Sequence, residues 1–451
     1  MNYDVADEPS RAVMSGVWSD QHLSWGRIPS ARQFAVLLDA PLQFPREVPE
    51  SLSLLARGFG RSYGDSCLNA NNAILLTTFL NHFIAWDPAT GILRAEAGTS
   101  LGDVLRLVVP QGWFLPVVPG TEFVTLGGAV ANDVHGKNHH RTGTFGACVT
   151  QLELLRSDGE RVLCSRDTNA DLFRATIGGL GLTGLVSWVE LRLNAVAGPW
   201  MTSETIRFSS IDEFVEINDA SERDYEYTAA WLDSCDSLGR GHYVRGNHAP
   251  ATAAAGAIGS ARGIELPFEC PGSTVNSITV KLFNELYYRA QLHKRSRAVV
   301  QHYKPFLFPL DAVHHWNRVY GTRGFYQYQC IVPKSADARA IKALVHTAAA
   351  SGLGSFLSVL KTFGEHAPEG LLSFARPGFT LAIDIANRGS DTLALLNQLD
   401  LIVERAGGAL YPGKDGRMSP RAFQASFPTS QEFARWIDPR FSSSFWRRVT
   451  A

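Results

Sequence analysis

The chain lacks an excess of charge: 42 lysines and arginines stand against 43 aspartates and glutamates, for a formal charge of −1. A protein whose main partner is a nucleic acid needs a basic surface, so that class is set aside. Long apolar runs are also missing. No stretch reaches the roughly 20 apolar residues that span a bilayer, and residues 1–33 carry acidic groups and Pro9 where a secretory leader would be apolar. A soluble, cytoplasmic protein is expected, with any membrane contact peripheral and at the inner face. The six cysteines, Cys67, Cys148, Cys164, Cys235, Cys270 and Cys330, include no C-x-x-C pair. That sets aside zinc sites and redox dithiols, so no metal is expected and the thiols read as unpaired and mostly buried. Charged residues are scarce at 19% while apolar ones reach 45%, which calls for a large core or a greasy substrate surface. A chain of 451 residues exceeds a single core, so two domains are expected.

Glycine, by contrast, is clustered. One cluster is Arg57-Gly58-Phe59-Gly60-Arg61-Ser62-Tyr63-Gly64-Asp65. A second runs Pro119-Gly120-Thr121, then Val124-Thr125-Leu126-Gly127-Gly128, then Asn132-Asp133-Val134-His135-Gly136-Lys137-Asn138-His139-His140. The third is Gly178-Gly179-Leu180-Gly181-Leu182-Thr183-Gly184. Glycine lets main-chain N–H groups approach an anion with no side chain in the way, and successive amides in tight turns form anion-binding nests. Three such clusters in order imply a large, phosphate-bearing cofactor. None is the dinucleotide fingerprint of the doubly wound fold, and no G-x-x-x-x-G-K-[ST] loop is present.

Around these clusters the pattern is α+β. Strands are expected over 52–56, 73–76, 92–97 and 149–155, and helices over 101–109 and 171–176, with the glycine loops at strand ends. Residues 99–103 offer a helix N-cap, and Ser157-Asp158-Gly159-Glu160 is a hairpin turn before a strand at 161–163. Composition shifts after Gly198-Pro199. Beyond it, strands at 327–332 and 380–385 and a helix at 335–351 suggest an antiparallel sheet backed by helices. Residues 251–263, rich in Ala and Gly, read as a mobile loop. The basic run His293-Lys294-Arg295-Ser296-Arg297 reads as a solvated helix face or as a contact for phosphate or a lipid headgroup.

The order of the glycine clusters resembles the flavin-binding half of the vanillyl-alcohol oxidase and p-cresol methylhydroxylase superfamily. His135-Gly136-Lys137-Asn138-His139-His140, with residues 60–65 and Gly324-Phe325-Tyr326-Gln327-Tyr328-Gln329, narrows the resemblance to its decaprenylphosphoryl-ribose oxidase branch. The resemblance implies a two-domain α+β flavoprotein: an FAD-binding domain over 1–199, completed by 406–451, and a substrate-binding cap over 200–405. It implies oxidation of the C2 hydroxyl of a polyprenylphosphoryl-ribofuranose to a keto sugar, the first step of epimerisation to an arabinose donor. A separate short-chain NAD(P)H reductase would complete that epimerisation. The alternative is oxidation of a free sugar alcohol or aldonolactone by the same flavin chemistry.

Such chemistry needs a hydride acceptor, a proton acceptor and positive charge beside the reduced flavin. By the resemblance, Lys414, Tyr63 and Lys361 are catalytic, and Lys137, Gln327, Gln329, Trp231, Arg318, Thr380 and Ala382 bind substrate. Gln327 and Gln329, two apart on a strand, share a face. The FAD contacts implied are Arg57, Gly58, Gly60, Arg61, Ser62, Tyr63 and Gly64; Pro119, Gly120, Thr121, Thr125, Gly127, Gly128 and Asn132; His135, Gly136, Asn138 and His139; and Gly179, Gly184 and Lys414. Relatives that tether flavin do so through a histidine in the first glycine loop. Residues 56–70 contain none, so that linkage is expected to be absent; His135, His139 and His140 stay open as alternative tethers, while the resemblance implies FAD held noncovalently. Where the branch has an asparagine and a cysteine facing substrate, this chain has Thr380 and Ala382, and Leu307 stands at an aromatic pocket position. Nitro-aromatic inhibitors that trap that cysteine are therefore expected to form no adduct here.

Overall fold

The computed structural model describes residues 16–39, 48–254, 263–271, 274–335 and 337–451. The start of the chain and most of the 251–263 stretch expected to be a loop lie outside the described residues.

Residues 16–199 build two large sheets, besides a two-stranded pairing of Trp113–Phe114 with Asn194–Ala195. Val17–Ser19, Gln33–Leu37, Ala73–Leu76 and Leu54–Arg57 lie side by side in that order, the last three mutually parallel. Phe83–Asp87, Ile92–Glu96, Leu185–Arg192, Val149–Leu155 and Arg161–Ser165 form an antiparallel sheet of five. The helix Leu101–Val108 starts where the sequence signals it: the Ser100 hydroxyl accepts from the Asp103 N–H and the Asp103 carboxylate accepts back from the Ser100 N–H. Its apolar stripe, Leu101, Val104, Leu105 and Val108, is fully buried against the sheet of five. Each such side chain contributes about 1.5–3 kcal/mol when fully buried.

After Pro199 the chain enters an eight-stranded antiparallel sheet ordered Val299–His302, Trp200–Phe208, Gly241–His248, Tyr227–Leu232, Ser358–Phe363, Gly378–Ala386, Phe325–Val332 and Ala409–Leu410. Strand alternation gives this sheet two characters. One face, with Leu232, Tyr328, Cys330, Leu360, Leu381 and Ile383, packs on the helices Ile211–Ser221, Arg339–Ala350 and Ser390–Arg405. Register sets Lys361 opposite Thr380, Gln329 opposite Ala382, Gln327 opposite Asp384 and Trp231 opposite Val359, so all of these share the other face. That polar face is turned toward the glycine loops.

The eight-stranded sheet takes its last strand from the tail of the chain. Gly407, in a left-handed conformation, ends the preceding helix, and Ala409–Leu410 then extends the cap sheet before the chain departs. Beyond Tyr411 it returns to the first domain. Phe441 bridges to Leu54, and Arg448 of the final helix Ser444–Thr450 holds Asp65 at 2.7 and 2.8 Å and Asp415 at 2.9 Å. The basic run at 293–297 is not helical, because the helix Ser277–Ala290 has already ended. Lys294 and Arg295 form ion pairs with Glu213 and Glu204. All six cysteines are free thiols; Cys148, Cys164 and Cys330 are buried and the other three half-buried.

Candidate active site

Between the glycine loops, the polar face of the cap sheet and the returning tail lies a cavity of about 900 Å³, near the upper end for small-molecule sites. Of the residues singled out in the sequence, it is lined by Arg57, Gly58, Gly60, Arg61, Ser62, Tyr63, Pro119, Gly120, Thr121, Thr125, Gly127, Gly128, Asn132, His135, Gly136, Lys137, Gly184, Trp231, Gln327, Gln329, Lys361, Ala382 and Lys414. Gly64, Asn138, His139, Gly179, Arg318 and Thr380 lie outside its wall, each for a local reason.

The first glycine loop follows the strand Leu54–Arg57. The Arg57 guanidinium donates to the carbonyls of Cys67 at 2.9 Å and Leu23 at 2.6 Å, so it braces the loop from behind while its backbone faces the cavity. Arg61 stacks 3.9 Å from the Trp25 ring centre, and its buried Nε has no partner among the described residues. Gly64 serves a chain crossing: a Cβ there would fall inside the carbonyl of Asp415, next to Lys414. Gly179 likewise abuts the Ala175 carbonyl.

In the second cluster the Thr125 hydroxyl accepts from the Gly128 N–H at 3.1 Å and caps the short helix Leu126–Ala131. Asn132 donates to the Gly128 carbonyl and leaves a buried Oδ1 with no partner among the described residues. His135 lies 2.9 Å from the Gln329 amide nitrogen; that N–H donates to Nε2, which puts the ring proton on Nδ1. Burial, then Lys361, His139 and Lys414, push its pKa well down, so the imidazole is neutral. Lys137 donates from Nζ to the Leu307 carbonyl at 2.9 Å, and burial followed by repulsion from Lys361 brings its pKa to about 7. The next residues turn away. Asn138 donates to the Pro116 carbonyl at 2.7 Å, and His139 stacks on Phe363 at 4.2 Å behind the cavity wall.

From the cap, Trp231 donates to the Phe356 carbonyl at 3.0 Å and packs edge-on to Tyr287. Ala382 reaches the wall, whereas Thr380 sits behind it, accepting from Gln329 at 3.3 Å. Arg318 donates to the Leu266 carbonyl at 2.6 Å, away from the cavity. Burial brings Lys361 to about 8. Lys414 stands 3.9 Å from the centre of the Tyr63 ring; burial brings it down to about 7, opposed by Asp384 and assisted by Lys361. The Tyr63 hydroxyl is pushed well up by its own burial and then by the charge of Asp384.

Asp384 is the residue that sequence reasoning passed over. Its Oδ1 accepts from Gln327 at 2.6 Å, its Oδ2 is buried without a partner among the described residues, and burial lifts its pKa to about 7. The signal was present: Asp384 follows Ala382 by two residues and therefore shares its face. Asp384 lies behind the cavity wall, whereas Asp311, which accepts from the Glu122 N–H at 2.7 Å, and Trp25 line the cavity unannounced.

These residues suit a flavin dinucleotide. Glycine backbones from three loops line one cavity, and among the described residues Gly120 has nothing within 4 Å of where a Cβ would sit and Arg61 and Asn132 leave buried polar atoms without partners. The three glycine loops are placed to hold it, and the cap sheet to close the remaining space.

Comparison with known proteins agrees. The family described as FAD binding domain matches residues 48–165. The decaprenylphosphoryl-beta-D-ribose oxidase of Mycolicibacterium smegmatis is 33% identical over 95% of this chain and 96% of its own length. Shorter matches include the Delta(24)-sterol reductase of Rattus norvegicus, 34% identical over 24% of this chain and 21% of that protein. A putative D-arabinono-1,4-lactone oxidase of Neurospora crassa is 28% identical over 30% of this chain and 24% of that protein. Fold and site together define an FAD-dependent oxidoreductase of the two-domain, vanillyl-alcohol-oxidase type. Within that class, the chain belongs to the decaprenylphosphoryl-β-D-ribose oxidase family.

Proposed function

We propose that this chain oxidises the C2 hydroxyl of a polyprenylphosphoryl-β-D-ribofuranose to the 2-keto sugar, the opening step of epimerisation to an arabinose donor. The observation that supports the reading is a convergence: Lys137, Lys361 and Lys414, from three distant parts of the chain, meet Gln327 and Gln329 on the cavity that the glycine loops also line. A phosphate-bearing sugar needs cationic donors and a proton acceptor at one place, and this wall carries both.

Bound flavin supplies the hydride acceptor. Loss of hydride from C2 and of the hydroxyl proton leaves the carbonyl, so the protein has one proton to take. The Lys414 amine suits that role, since at about 7 it is available unprotonated near neutrality. Asp384 then faces the ammonium that results. Tyr63 keeps its proton across this range and acts only as a donor, while His135 stays neutral and orients Gln329. Lys137 and Lys361 become ammonium donors once an anion lies beside them, and Gln327 and Gln329 orient the ribosyl hydroxyls.

In this reading FAD is held noncovalently and is released on denaturation. The keto sugar passes to a separate short-chain NAD(P)H reductase. The enzyme works in the cytoplasm against the inner face of a membrane. Among the described residues, no helix is long and apolar enough to cross one.

The test is an anaerobic titration of the purified protein with farnesylphosphoryl-β-D-ribofuranose, following the oxidised-flavin absorbance. Bleaching by this substrate is expected. A protein that stays yellow with it but bleaches with an aldonolactone or alditol would transfer the assignment to free sugar derivatives.

A further inference from the structure

The mouth of the cavity is bordered by an apolar helix face. Ser277–Ala290 turns Val280 and Asn284 inward, while Ile278, Leu282 and Leu286 are 77%, 60% and 61% exposed. Their spacing of four aligns them in one outward stripe. One position round the helix, Phe283 and Tyr287 stack in parallel at 5.9 Å; they are exposed on one side and line the cavity on the other. The stripe is thus continuous with the cavity wall. Exposed apolar surface of this extent on a soluble protein marks a contact.

Charge identifies the occupant. Between 277 and 300 the chain carries Lys281, Arg289, Lys294, Arg295 and Arg297 against one acid, Glu285, with Lys294 and Arg295 engaged by Glu213 and Glu204 from outside the segment. Glu285 is held by Arg240 and Arg289, whereas exposed Lys281 and Arg297 make no ion pair among the described residues. An apolar helix face flanked by cations, lying in the rim of a cavity, fits the boundary between headgroups and acyl chains of an anionic bilayer. A second copy seated on the same stripe would sit across the mouth through which substrate enters.

We propose that the Ser277–Ala290 helix docks on an anionic lipid surface, with Leu282 and Leu286 inserted and the cavity opening onto the membrane. Its purpose rests on the lipid-linked substrate read above, but docking is measured without substrate, so the two readings fail separately. The experiment floats the full-length, FAD-loaded protein with vesicles of phosphatidylcholine, with and without phosphatidylglycerol, at low and high salt. Binding to the anionic vesicles is expected, weakened by salt. The double substitution Leu282→Glu with Leu286→Glu reduces it at least about tenfold, since each leucine gives up its burial. That variant keeps its flavin spectrum and its melting temperature, because neither side chain is packed.

Three results would overturn the proposal: a wild-type protein that does not float, equal flotation of the double variant, or a wild-type dimer that the double substitution dissociates. The last would give the stripe to a second copy. Flotation without oxidation of farnesylphosphoryl-ribofuranose would leave the docking intact and remove only the substrate.

Discussion

Asp384 carries the clearest prediction about a single side chain. It is 1% exposed, bound by Gln327 through one oxygen, and its charge raises the pKa of Lys414 against the opposing effects of burial and Lys361. Asp384→Asn keeps the size and the acceptor for Gln327 but removes the negative charge. Lys414 then loses its proton more readily. A base works when unprotonated, so the acidic limb of kcat/KM lies at its pKa, and that limb moves to lower pH in the variant. The pH–rate profile checks this. An unmoved limb would place the proton acceptor elsewhere, and a mere fall in activity at every pH would mark Asp384 as structural. No residue-type pattern announces such a group. Lysines and glutamines stood out because they lay in recognisable strings, whereas the importance of Asp384 comes from strand register, which places it opposite Gln327, and from its charge acting on Lys414.

At the scale of elements, local signals were read well and backbone contacts poorly. The strands Ala73–Leu76 and Val149–Leu155 and the capped helix Leu101–Val108 follow from alternation and from the Ser100–Asp103 box. Glycine clusters pointed to the cavity, but the reason for each glycine was hidden, because chain-to-chain crossings leave no mark in a one-dimensional string. Gly64 and Gly120 separate the two causes. Gly64→Ala sets a methyl into the Asp415 carbonyl, backbone against backbone, and displaces the loop that bears Lys414. A loss of about 1–3 kcal/mol or more is expected, with a lower melting temperature and lower turnover. Gly120 has nothing within 4 Å and no positive φ, so Gly120→Ala melts like the wild type but intrudes on the cavity and weakens FAD retention. Thermal melts paired with FAD dissociation measurements test both. Equal behaviour of the two variants would mean that these loops do not divide the work this way. The turn after Lys137 shows the same blindness in reverse: His135 and Lys137 face the cavity, while Asn138 and His139 roll behind the wall onto Pro116 and Phe363.

For the molecule as a whole, the main consequence is that folding gathers three lysines into one enclosed space. Lys137 comes from the first domain, Lys361 from the cap and Lys414 from the returning tail, and no segment alone shows that they meet. Burial holds them at about 7, about 8 and about 7, and repulsion from Lys361 adds to the lowering of Lys137 and Lys414. At pH 8 a substantial part of this cluster is therefore neutral amine. A phosphate beside Lys137 and Lys361 favours their ammonium forms and raises their pKa values, so binding must draw protons from solution. Uptake on the order of one proton per phosphate is expected at pH 8, and affinity falls as pH rises further, because fewer lysines arrive charged and each must be protonated against a growing cost. Isothermal titration of the FAD-loaded protein with farnesyl phosphate, in buffers of different ionisation enthalpy, measures the number directly, and Lys137→Gln should lower it. Binding with no proton uptake would mean that the anion is held away from these lysines, which would remove the phosphate from the proposed site while leaving the flavin cavity unchanged.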